Sequence, residues 1–421
     1  MSVLLLHRFP FEPFPYLKWL ADYDGDIVVV ADREKIESSG ERLPDGNLGY
    51  AHLEVLDDFE GLAFERGLDL ARKFAVTHVI AHHEGDVETA ARLREHLDLP
   101  GAWPADVAAF RDKVLMKRRA RQAGIETAAH VLARTPEQAR SFAARQGFPL
   151  VAKARAGFSS IGLRILPDAD ALRDCLAAAF AAPGEPEVLL EGFVPGRMCH
   201  VDGLVADGRT VLAWPSQYQY DLASYGEDPG ARVDLTLDPD DPLTDRLLEL
   251  TDRILAALKP AGTRLREHAF HAEIFHTPDD RLVLCEIAVR PAGAKVREVF
   301  EVLFGANLGE LATRAQLGLP LPAPADGARG ARPRPREMSG QLLMMKRPGL
   351  VRSVPAAPEQ AWVRGFWLYA RPGELVPSAS GSSDFLTAVV GSAPSRAECE
   401  SRLRDLGARF EAQTRIVPAG G

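Results

Sequence analysis

The chain has 421 residues, of which 46% are hydrophobic and 26% are charged, and its net charge is −9. This length exceeds one ordinary core, so we expect a soluble protein of roughly two to four domains. The acidic balance argues against a general nucleic-acid binder, and no apolar run reaches the roughly 18 residues of a membrane span. The four cysteines lack metal-like spacing and the run Val3–Leu6 is too short for a signal peptide, so we expect a cytoplasmic protein with free thiols.

Residues 1–105 alternate short apolar runs with helical stretches. The runs Val3–Leu6, Ile27–Val30 and His78–Ala81 are typical of buried parallel strands. With helical stretches between them, they predict a doubly wound α/β domain. His7-Arg8-Phe9-Pro10 follows the first strand in place of the glycine fingerprint of dinucleotide-binding folds, so a nicotinamide cofactor is not expected.

A basic helix is predicted over Asp106–Ala123, and it carries Lys113 and Lys117. Basic helix faces are usually solvated. The predicted strand Leu150–Lys153 then leads into a loop of small residues at 154–162. Such loops can present backbone N–H groups and hydroxyls to phosphate oxygens, although an ordinary hairpin turn is the commoner explanation of a loop like this by itself.

The middle of the chain contains two further stretches of interest. Glu191-Gly-Phe-Val194 is followed by a predicted strand pair that carries His200. Residues 217–233 are rich in Tyr, Gly and Asp without a clear period, and a loop of that length inside a domain is more often functional than structural. Residues 319–335 have the composition of a linker, and residues 337–415 show short strands and one helix.

A turn signal, Thr277-Pro-Asp-Asp280, lies between two apolar runs and predicts a β-hairpin. With the turn centred between the two aspartates, Glu273 faces Glu286, and like charges opposite each other destabilise a sheet. A cation between the two carboxylates would explain the pair, and Mg²⁺ prefers such oxygen ligands. Period-2 alternation puts Arg290 on the same face as Glu286. For an isolated hairpin, a solvated polar face is the alternative.

The order of these pieces resembles the ATP-grasp superfamily. The ordered set is Asp112-Lys113, Ala152-Lys153 with its loop, Glu191-Gly-Phe-Val194, Glu273, and Glu286-Ile-Ala-Val-Arg290. The resemblance implies an α/β (α+β) fold in four parts. These are an N-terminal doubly wound α/β domain (1–105), a two-lobed ATP-grasp domain (106–318, flexible small lobe at about 125–190), a linker (319–336) and a small β-rich C-terminal subdomain (337–421).

The resemblance implies that several of these residues bind ATP. Lys113 and Lys153 match the two lysines that neutralise nucleotide phosphates, although either lysine by itself is more often a surface charge. Ser159 and Ser160 match the loop that closes over the β- and γ-phosphates. The stretch Glu191–Val194, which includes Phe193, matches the hinge between the lobes, whose backbone hydrogen-bonds the adenine edge.

The resemblance also assigns the metal and catalytic groups. Glu273 and Glu286 match the ligands of Mg²⁺, for which Mn²⁺ is an alternative. Arg290 matches the arginine that contacts the transferring phosphate or acyl phosphate, and it acts with Lys153. By analogy with other charge-stabilising groups, we expect truncation of Arg290 to lower the rate on the order of 10²–10³-fold.

Two positions depart from the family pattern. Ala288 stands where the family often has an asparagine that ligates a second metal ion, so water or another side chain must replace it. Met198 stands where many members have an acidic residue that holds the ribose. His200 resembles the ribose-proximal histidine of biotin carboxylase-like members and could take that role; a hydrogen-bonded strand histidine is the alternative.

The activity that the resemblance implies is that of an ATP-dependent carboxylate–amine ligase. Such an enzyme activates a carboxylate as an acyl phosphate, couples it to an amine such as an amino acid, and releases ADP and phosphate. We expect small-molecule acid and amine substrates and no nucleic-acid or membrane partner; homodimers are common in the family. The second substrate is expected against residues 217–233 and the strands that carry His200 and Asp202. The alternatives are a purine-pathway-like or acid–thiol ligase, a biotin-dependent carboxylase, which fits less closely, and a catalytically silent nucleotide-binding module.

Overall fold

The computed structural model describes residues 1–38, 40–43, 45–181, 186–221, 230–322, 333–382 and 384–418. Within them the strands are β1 (Ser2–His7), β2 (Asp26–Asp32), β3 (His52–Leu56), β4 (Val76–Ala81), β5 (His130–Ala133), β6 (Leu150–Lys153), β7 (Arg164–Leu166), β8 (Val188–Gly192), β9 (Arg197–Ala206), β10 (Arg209–Tyr218), β11 (Arg232–Thr236), β12 (His268–His276), β13 (Leu282–Ala288), β14 (Met338–Met345), β15 (Gly349–Ser353), β16 (Val363–Leu368), β17 (Leu375–Val376), β18 (Phe385–Ala393) and β19 (Arg415–Val417). The helices are α1 (Tyr16–Trp19), α2 (Arg33–Glu37), α3 (Phe59–Lys73), α4 (Val87–His96), α5 (Pro104–Arg111), α6 (Lys113–Gln122), α7 (Pro136–Gln146), α8 (Ala169–Ala181), α9 (Pro242–Leu258), α10 (Val296–Phe304), α11 (Leu308–Gln316) and α12 (Arg396–Gln413), with a 3₁₀ turn at Glu84–Asp86. None of the described helices is long and apolar enough to cross a membrane.

The N-terminal sheet is parallel, with strand order β3-β2-β1-β4. Both of its faces are apolar, and β1 is buried along its whole length. Leu4 and Leu6 pack in the cluster that contains α3, whereas Val3 and Leu5 pack on the opposite side with Trp19. The predicted doubly wound α/β architecture of this region is therefore confirmed.

A second sheet of four antiparallel strands has the order β5-β8-β6-β7. Strand β8 lies inside it, paired with β5 on one side and β6 on the other. Helices α7 and α8 cover this sheet through a cluster that includes Phe142, Leu172 and Leu176. Because β8 ends at Gly192, the stretch Glu191–Val194 leaves this sheet at its central strand.

The largest sheet has eight antiparallel strands in the order β13-β12-β9-β10-β11-β14-β18-β16. Helix α9 packs on it; Asp241 caps that helix by accepting a hydrogen bond from the Leu243 N–H, and Pro242 occupies its first turn. Strands β14, β16 and β18 belong to the C-terminal part, yet they extend the sheet that also contains the β12–β13 hairpin. Strands β15, β17 and β19 form a separate small sheet.

The prediction of a single basic helix over Asp106–Ala123 is wrong in one respect, because this stretch forms two helices, α5 and α6. The helix is interrupted at Asp112, whose backbone is extended. This residue follows the end of α5 and is the N-cap of α6. Its Oδ1 accepts hydrogen bonds from the N–H groups of Val114 (2.9 Å) and Leu115 (3.2 Å). Asp, a strong N-cap residue, thereby starts a new helix whose first residue is Lys113.

Two of the sequence predictions extend beyond the described part of the chain. Of the linker predicted at 319–336, residues 323–332 lie outside it, as do residues 222–229 of the loop predicted at 217–233. The domain boundaries stay predictions.

Candidate active site

A cavity of about 610 Å³ lies where the three larger sheets meet. It is lined by residues that follow strands β1 and β4 of the N-terminal sheet, and by residues of the small antiparallel sheet and of the β12–β13 hairpin. The site residues predicted from the sequence that line it are Lys113, Lys153, Ser159, Ser160, Glu191, Phe193, Val194, Glu273, Glu286 and Arg290. The structure thus brings together groups that are up to 177 positions apart in the chain, from Lys113 to Arg290.

The hairpin places its two glutamates opposite each other, as predicted: Glu273 pairs with Glu286. The pairing register shifts next to this pair, because Ile274 pairs with Leu284 and leaves Cys285 as the extra residue of a β-bulge. Ligand atoms of Glu273, Cys285 and Glu286 all lie within 4.8 Å of one another. Two carboxylates at this separation fit a divalent cation such as Mg²⁺, with Cys285 as a neighbouring thiol.

Glu286 and Glu191 both have lysine partners. Lys113 Nζ lies 3.2 Å from Glu286 Oε2 and donates a hydrogen bond to the Gly157 carbonyl. Burial disfavours the charged form of Glu286, but the positive charges of Lys113 and Lys153 outweigh burial and lower its pKa to about 2. Glu286 is therefore ionised at neutral pH and available to a cation.

Glu191 holds two lysines at once. Its Oε2 lies 3.1 Å from Lys153 Nζ, and its Oε1 lies 3.1 Å from Lys117 Nζ. Lys117 is completely buried and also donates to the Cys285 carbonyl (3.0 Å), so the expectation of a solvated basic helix face is wrong at this position. Burial raises the pKa of Glu191, but Lys117 and Lys153 together lower it below its ordinary value.

The loop of small residues bends sharply beside these lysines. Ser159 and Ser160 both have positive φ angles, 54° and 56°, which are uncommon for residues other than glycine. The carbonyl of Ser159 accepts a hydrogen bond from the N–H of Ser382, at 3.3 Å. The loop therefore contacts the C-terminal part of the chain as well as α6.

The stretch after β8 forms another wall of the cavity. The Gly192 N–H donates to the Ala129 carbonyl (2.8 Å), and the Phe193 N–H donates to the Pro149 carbonyl (3.3 Å). Phe193 is 39% exposed although its ring is large and apolar. Its exposure next to the cavity is suited to contact with a bound planar group.

Arg290 is oriented by a residue that the sequence analysis missed. Its Nε donates to Glu84 Oε2 (2.7 Å), and its Nη1 donates to the Pro291 carbonyl (3.0 Å). The other oxygen of Glu84 accepts from Arg111. Among the described residues, Nη2 of Arg290 has no hydrogen-bond acceptor, so this group remains for a ligand.

His200 does not border the cavity with the other predicted residues, as far as the described chain shows. It is fully buried, with Nδ1 2.5 Å from Asp202 and Nε2 3.0 Å from Asp234. Both ring nitrogens are thus engaged by carboxylates, and the ring stacks on Tyr218 at 4.6 Å. These contacts fit the alternative of a hydrogen-bonded strand histidine, and a role of His200 at the ribose stays a prediction.

His271, on the strand next to that of His200, does border the cavity. Its Nδ1 lies 2.9 Å from Asp202 and its Nε2 lies 3.5 Å from Glu273. Burial opposes a charge on the ring, but Asp202 and Glu273 raise its pKa to about 9. Strand periodicity could have identified this residue, because side chains two positions apart share a face of a strand and His271 stands two before Glu273.

Comparison with known families and structures gives a consistent result. The model of a family described as "Carbamoyl-phosphate synthase L chain, ATP binding domain" matches residues 112–209. This range contains Lys113, Lys153 and Glu191, together with the two serines of the loop.

Two of the curated relatives that match this chain illustrate the low level of sequence identity. The L-arginine-specific L-amino acid ligase of Bacillus subtilis is 23% identical over 267 residues, which are 62% of this chain and 62% of that protein. The mitochondrial arginine-specific large chain of carbamoyl phosphate synthase from Neurospora crassa is 23% identical over 281 residues, 64% of this chain and 23% of that protein. The match thus spans less than two thirds of either relative.

Solved structures match over nearly the whole chain. The L-amino acid ligase from Bacillus licheniformis has a TM-score of 0.73 at 16% identity, covering 99% of this chain and 98% of that one. The biotin carboxylase domain of Hydrogenobacter thermophilus 2-oxoglutarate carboxylase, solved with MgADP and bicarbonate, has a TM-score of 0.69 at 15% identity, covering 99% and 90%. The chain therefore shares its fold with these two solved structures. Residues 112–209 thus match an ATP-binding domain family, and the rest of the chain is matched at the level of the fold.

Proposed function

We propose that this protein is an ATP-dependent carboxylate–amine ligase that joins a carboxylic acid to an amine, with an amino acid among its substrates. The observation that carries the proposal is the convergence of Lys113, Lys153, Glu273, Glu286 and Arg290 on one cavity. The amino-acid ligases among its relatives and structural neighbours support the amide-forming activity.

The cavity residues divide into groups that suit the parts of Mg-ATP. Lys113 and Lys153 carry positive charge suited to phosphates, and Ser159 and Ser160 border them. The stretch Glu191–Val194, which lines the same cavity, would border the adenine edge. Glu273 and Glu286 would hold Mg²⁺, or Mn²⁺ in its place; the ion would neutralise charge on the phosphate oxygens.

The reaction proposed has two steps. The carboxylate of the acid attacks the γ-phosphorus of ATP, so that an acyl phosphate forms and ADP leaves. The amine then attacks the acyl carbon, and phosphate leaves. Positioning and charge stabilisation are the protein's main tasks: Arg290 is held by Glu84 with Nη2 directed to no described protein group, and it would stabilise the acyl phosphate. The loop at 154–162 would exclude water, which otherwise hydrolyses that intermediate.

The remaining proposals concern organisation. We propose the domain boundaries 1–105, 106–318 and 337–421, separated by a linker at 319–336, and a cytoplasmic location consistent with four free cysteines. A homodimer is a further proposal; the Hydrogenobacter thermophilus domain is a dimer in its crystal structure. Light scattering of the purified protein would give its oligomeric state directly.

One observation favours a second candidate, a nucleotide-binding module without catalysis. Ala288 offers no side-chain oxygen to a second metal ion, and it pairs with His271 in the hairpin. The two candidates differ in turnover. A ligase releases ADP when a suitable acid and amine are present, whereas a binding module is stabilised by Mg-ATP and releases none.

The test is ADP and phosphate release from Mg-ATP across a matrix of the twenty amino acids and common small carboxylic acids. We expect release that needs one acid and one amine. It should be abolished in Glu286→Gln and lowered on the order of 10²–10³-fold in Arg290→Ala. Glu249→Gln and Arg253→Ala, at exposed positions of α9, are the matched controls and should keep full activity. Full turnover in both cavity variants would refute the assigned roles, and absence of Mg-ATP binding would refute the nucleotide site itself.

A further inference from the structure

Besides Arg290, the lining of the cavity includes aromatic and small apolar side chains. Phe9, His83 and Phe158 border it, and Ala292 and Val296 follow Arg290 along the chain and border it too. None of these side chains is needed for the phosphates, the metal or the adenine in the function proposed above.

The three aromatic residues form a continuous surface although they come from separate parts of the chain. The His83 ring is 5.5 Å from the Phe9 ring and 5.3 Å from the Phe158 ring, with interplanar angles of 64° and 87°. Edge-to-face contacts of this kind are favourable between aromatic rings. Phe9 is fixed from behind by Phe14, which stacks on it at 4.5 Å. Phe158 belongs to the loop of small residues, so that loop supplies one side of the surface.

The surface carries no charge of its own at neutral pH. Burial lowers the pKa of His83 to about 3, with further lowering by the guanidinium groups of Arg8 and Arg290. Nδ1 of His83 accepts a hydrogen bond from the Gly85 N–H, as a neutral ring requires. The adjacent carboxylate, Glu84, has both oxygens engaged by arginines.

The aromatic surface is tied to the reacting end of the cavity. His83 directly precedes Glu84, and Glu84 Oε2 is 2.7 Å from Arg290 Nε. In the proposed function Arg290 contacts the acyl phosphate. The side chain of the activated acid is attached one or two bonds from that group, so the surface next to Arg290 is within its reach.

We propose that Phe9, His83 and Phe158 form the subsite for the side chain of the acid that is activated, and that this acid is an amino acid with an aromatic or large aliphatic side chain. This inference depends on the proposed ligase function. An aromatic surface favours apolar side chains, because a charged or strongly polar group would lose hydration on it.

The experiment compares kcat/KM for ADP release among acids at saturating Mg-ATP and a fixed amine. Phenylalanine, tyrosine, leucine and methionine represent the expected class; glycine, alanine, aspartate and lysine represent the others. We expect the first group to be preferred by about tenfold or more. In Phe158→Ala this preference should fall by about tenfold, and in Phe158→Leu leucine and methionine should gain relative to phenylalanine and tyrosine.

The matched control is Phe64→Ala, a half-buried phenylalanine on α3 that packs on Arg92 and lies outside the cavity lining as described. It should leave the preference unchanged. An equal loss of rate for all acids in Phe158→Ala would show that this residue serves loop closure only, and would overturn the subsite. A native preference for small or charged acids would also overturn it while leaving the ligase proposal intact. Absence of ADP release with every acid would overturn the ligase proposal and the subsite with it.

Discussion

Asp86 is a buried carboxylate whose surroundings are short of positive charge. Arg8 Nη1 lies 3.5 Å from its Oδ1, but the same guanidinium also serves Asp32 and Glu60, each at 3.0 Å. Oδ2 of Asp86 is buried without a hydrogen-bond partner among the described residues. Burial raises the pKa of Asp86 to about 7; Arg8 opposes this, and Asp32 and Glu60 add to it.

This raised pKa makes stability depend on pH in a defined direction. Between the ordinary pKa of 3.8 and the folded-state pKa of about 7, the folded protein holds a proton that the unfolded chain does not. Stability therefore falls as pH rises through this window, and the loss is complete above pH 7. We expect Asp86→Asn to raise Tm at pH 8, corresponding to about 1–4 kcal/mol, with a gain that shrinks towards pH 4. Thermal unfolding at several pH values measures this.

The control is Asp405→Asn, at an exposed position of α12. The Tm of this variant should equal that of the native protein at every pH. A Tm of Asp86→Asn below that of the native protein at pH 8 would contradict the prediction, because it would show that the ion pair with Arg8 outweighs burial.

Sequence patterns identified the charged residues that belong to recognisable stretches, such as Lys113 and Glu286. They did not identify Glu84 or Lys117. Glu84 lies in a 3₁₀ turn with no periodic neighbours, and its importance comes from Arg111 and Arg290, which are distant in the chain. In the sequence, Lys117 is one of several basic residues on a predicted helix. Its burial is explained by its ion pair with Glu191, which lies on strand β8.

At the scale of elements, Asp112 connects helix formation with the proposed nucleotide site. It caps α6, and its Oδ2 accepts a hydrogen bond from Arg155 in the loop of small residues. We expect Asp112→Ala to lower stability by about 1 kcal/mol through loss of the cap, and to raise the KM for ATP because Lys113 begins this helix. Steady-state kinetics with varied ATP and thermal unfolding measure the two effects.

Asp58→Ala is the matched control, since Asp58 caps α3 by accepting from the Gly61 N–H at 2.9 Å. That variant should lose similar stability and keep the native KM for ATP. An unchanged KM in Asp112→Ala would show that the cap does not position Lys113.

The β12–β13 hairpin shows how far local sequence determines register. The turn signal and the alternation predicted that Glu273 faces Glu286, and this is confirmed. The bulge at Cys285 was not predicted, because strand patterns carry no count of extra residues. The bulge shifts the pairing by one residue between Ile274 and the turn. The predicted register is therefore correct for Glu273 and the pairs farther from the turn, and is off by one residue nearer the turn.

At the scale of the whole molecule, the C-terminal strands complete the largest sheet. Strand β14 is buried along its whole length and pairs with β11 on one side and β18 on the other. The sequence predicted that strands exist in this part, but not that β14 pairs with β11, which lies more than a hundred positions earlier in the chain. Pairing over such separations depends on the assembled core and leaves no local pattern.

A fragment of residues 1–322 tests this arrangement. Without β14, the edge of β11 and the apolar side chains of Val233 and Leu235 would be uncovered, and such edges favour aggregation. We expect the fragment to be insoluble when expressed alone and to be recovered in soluble form when co-expressed with residues 333–421. Size-exclusion chromatography gives the result. A soluble, monodisperse fragment that binds Mg-ATP as the full chain does would contradict it.

The ion pair of Lys113 with Glu286 has a consequence for how ligands bind. In the proposed site, phosphates compete with Glu286 for Lys113, and a divalent cation competes with Lys113 for Glu286. Phosphate binding to Lys113 therefore releases Glu286 for the cation, and cation binding to Glu286 releases Lys113 for the phosphates. Binding of either one raises the affinity for the other. By linkage the two affinities rise by the same factor. The site would accept the magnesium–nucleotide complex as a unit and discriminate against either component alone.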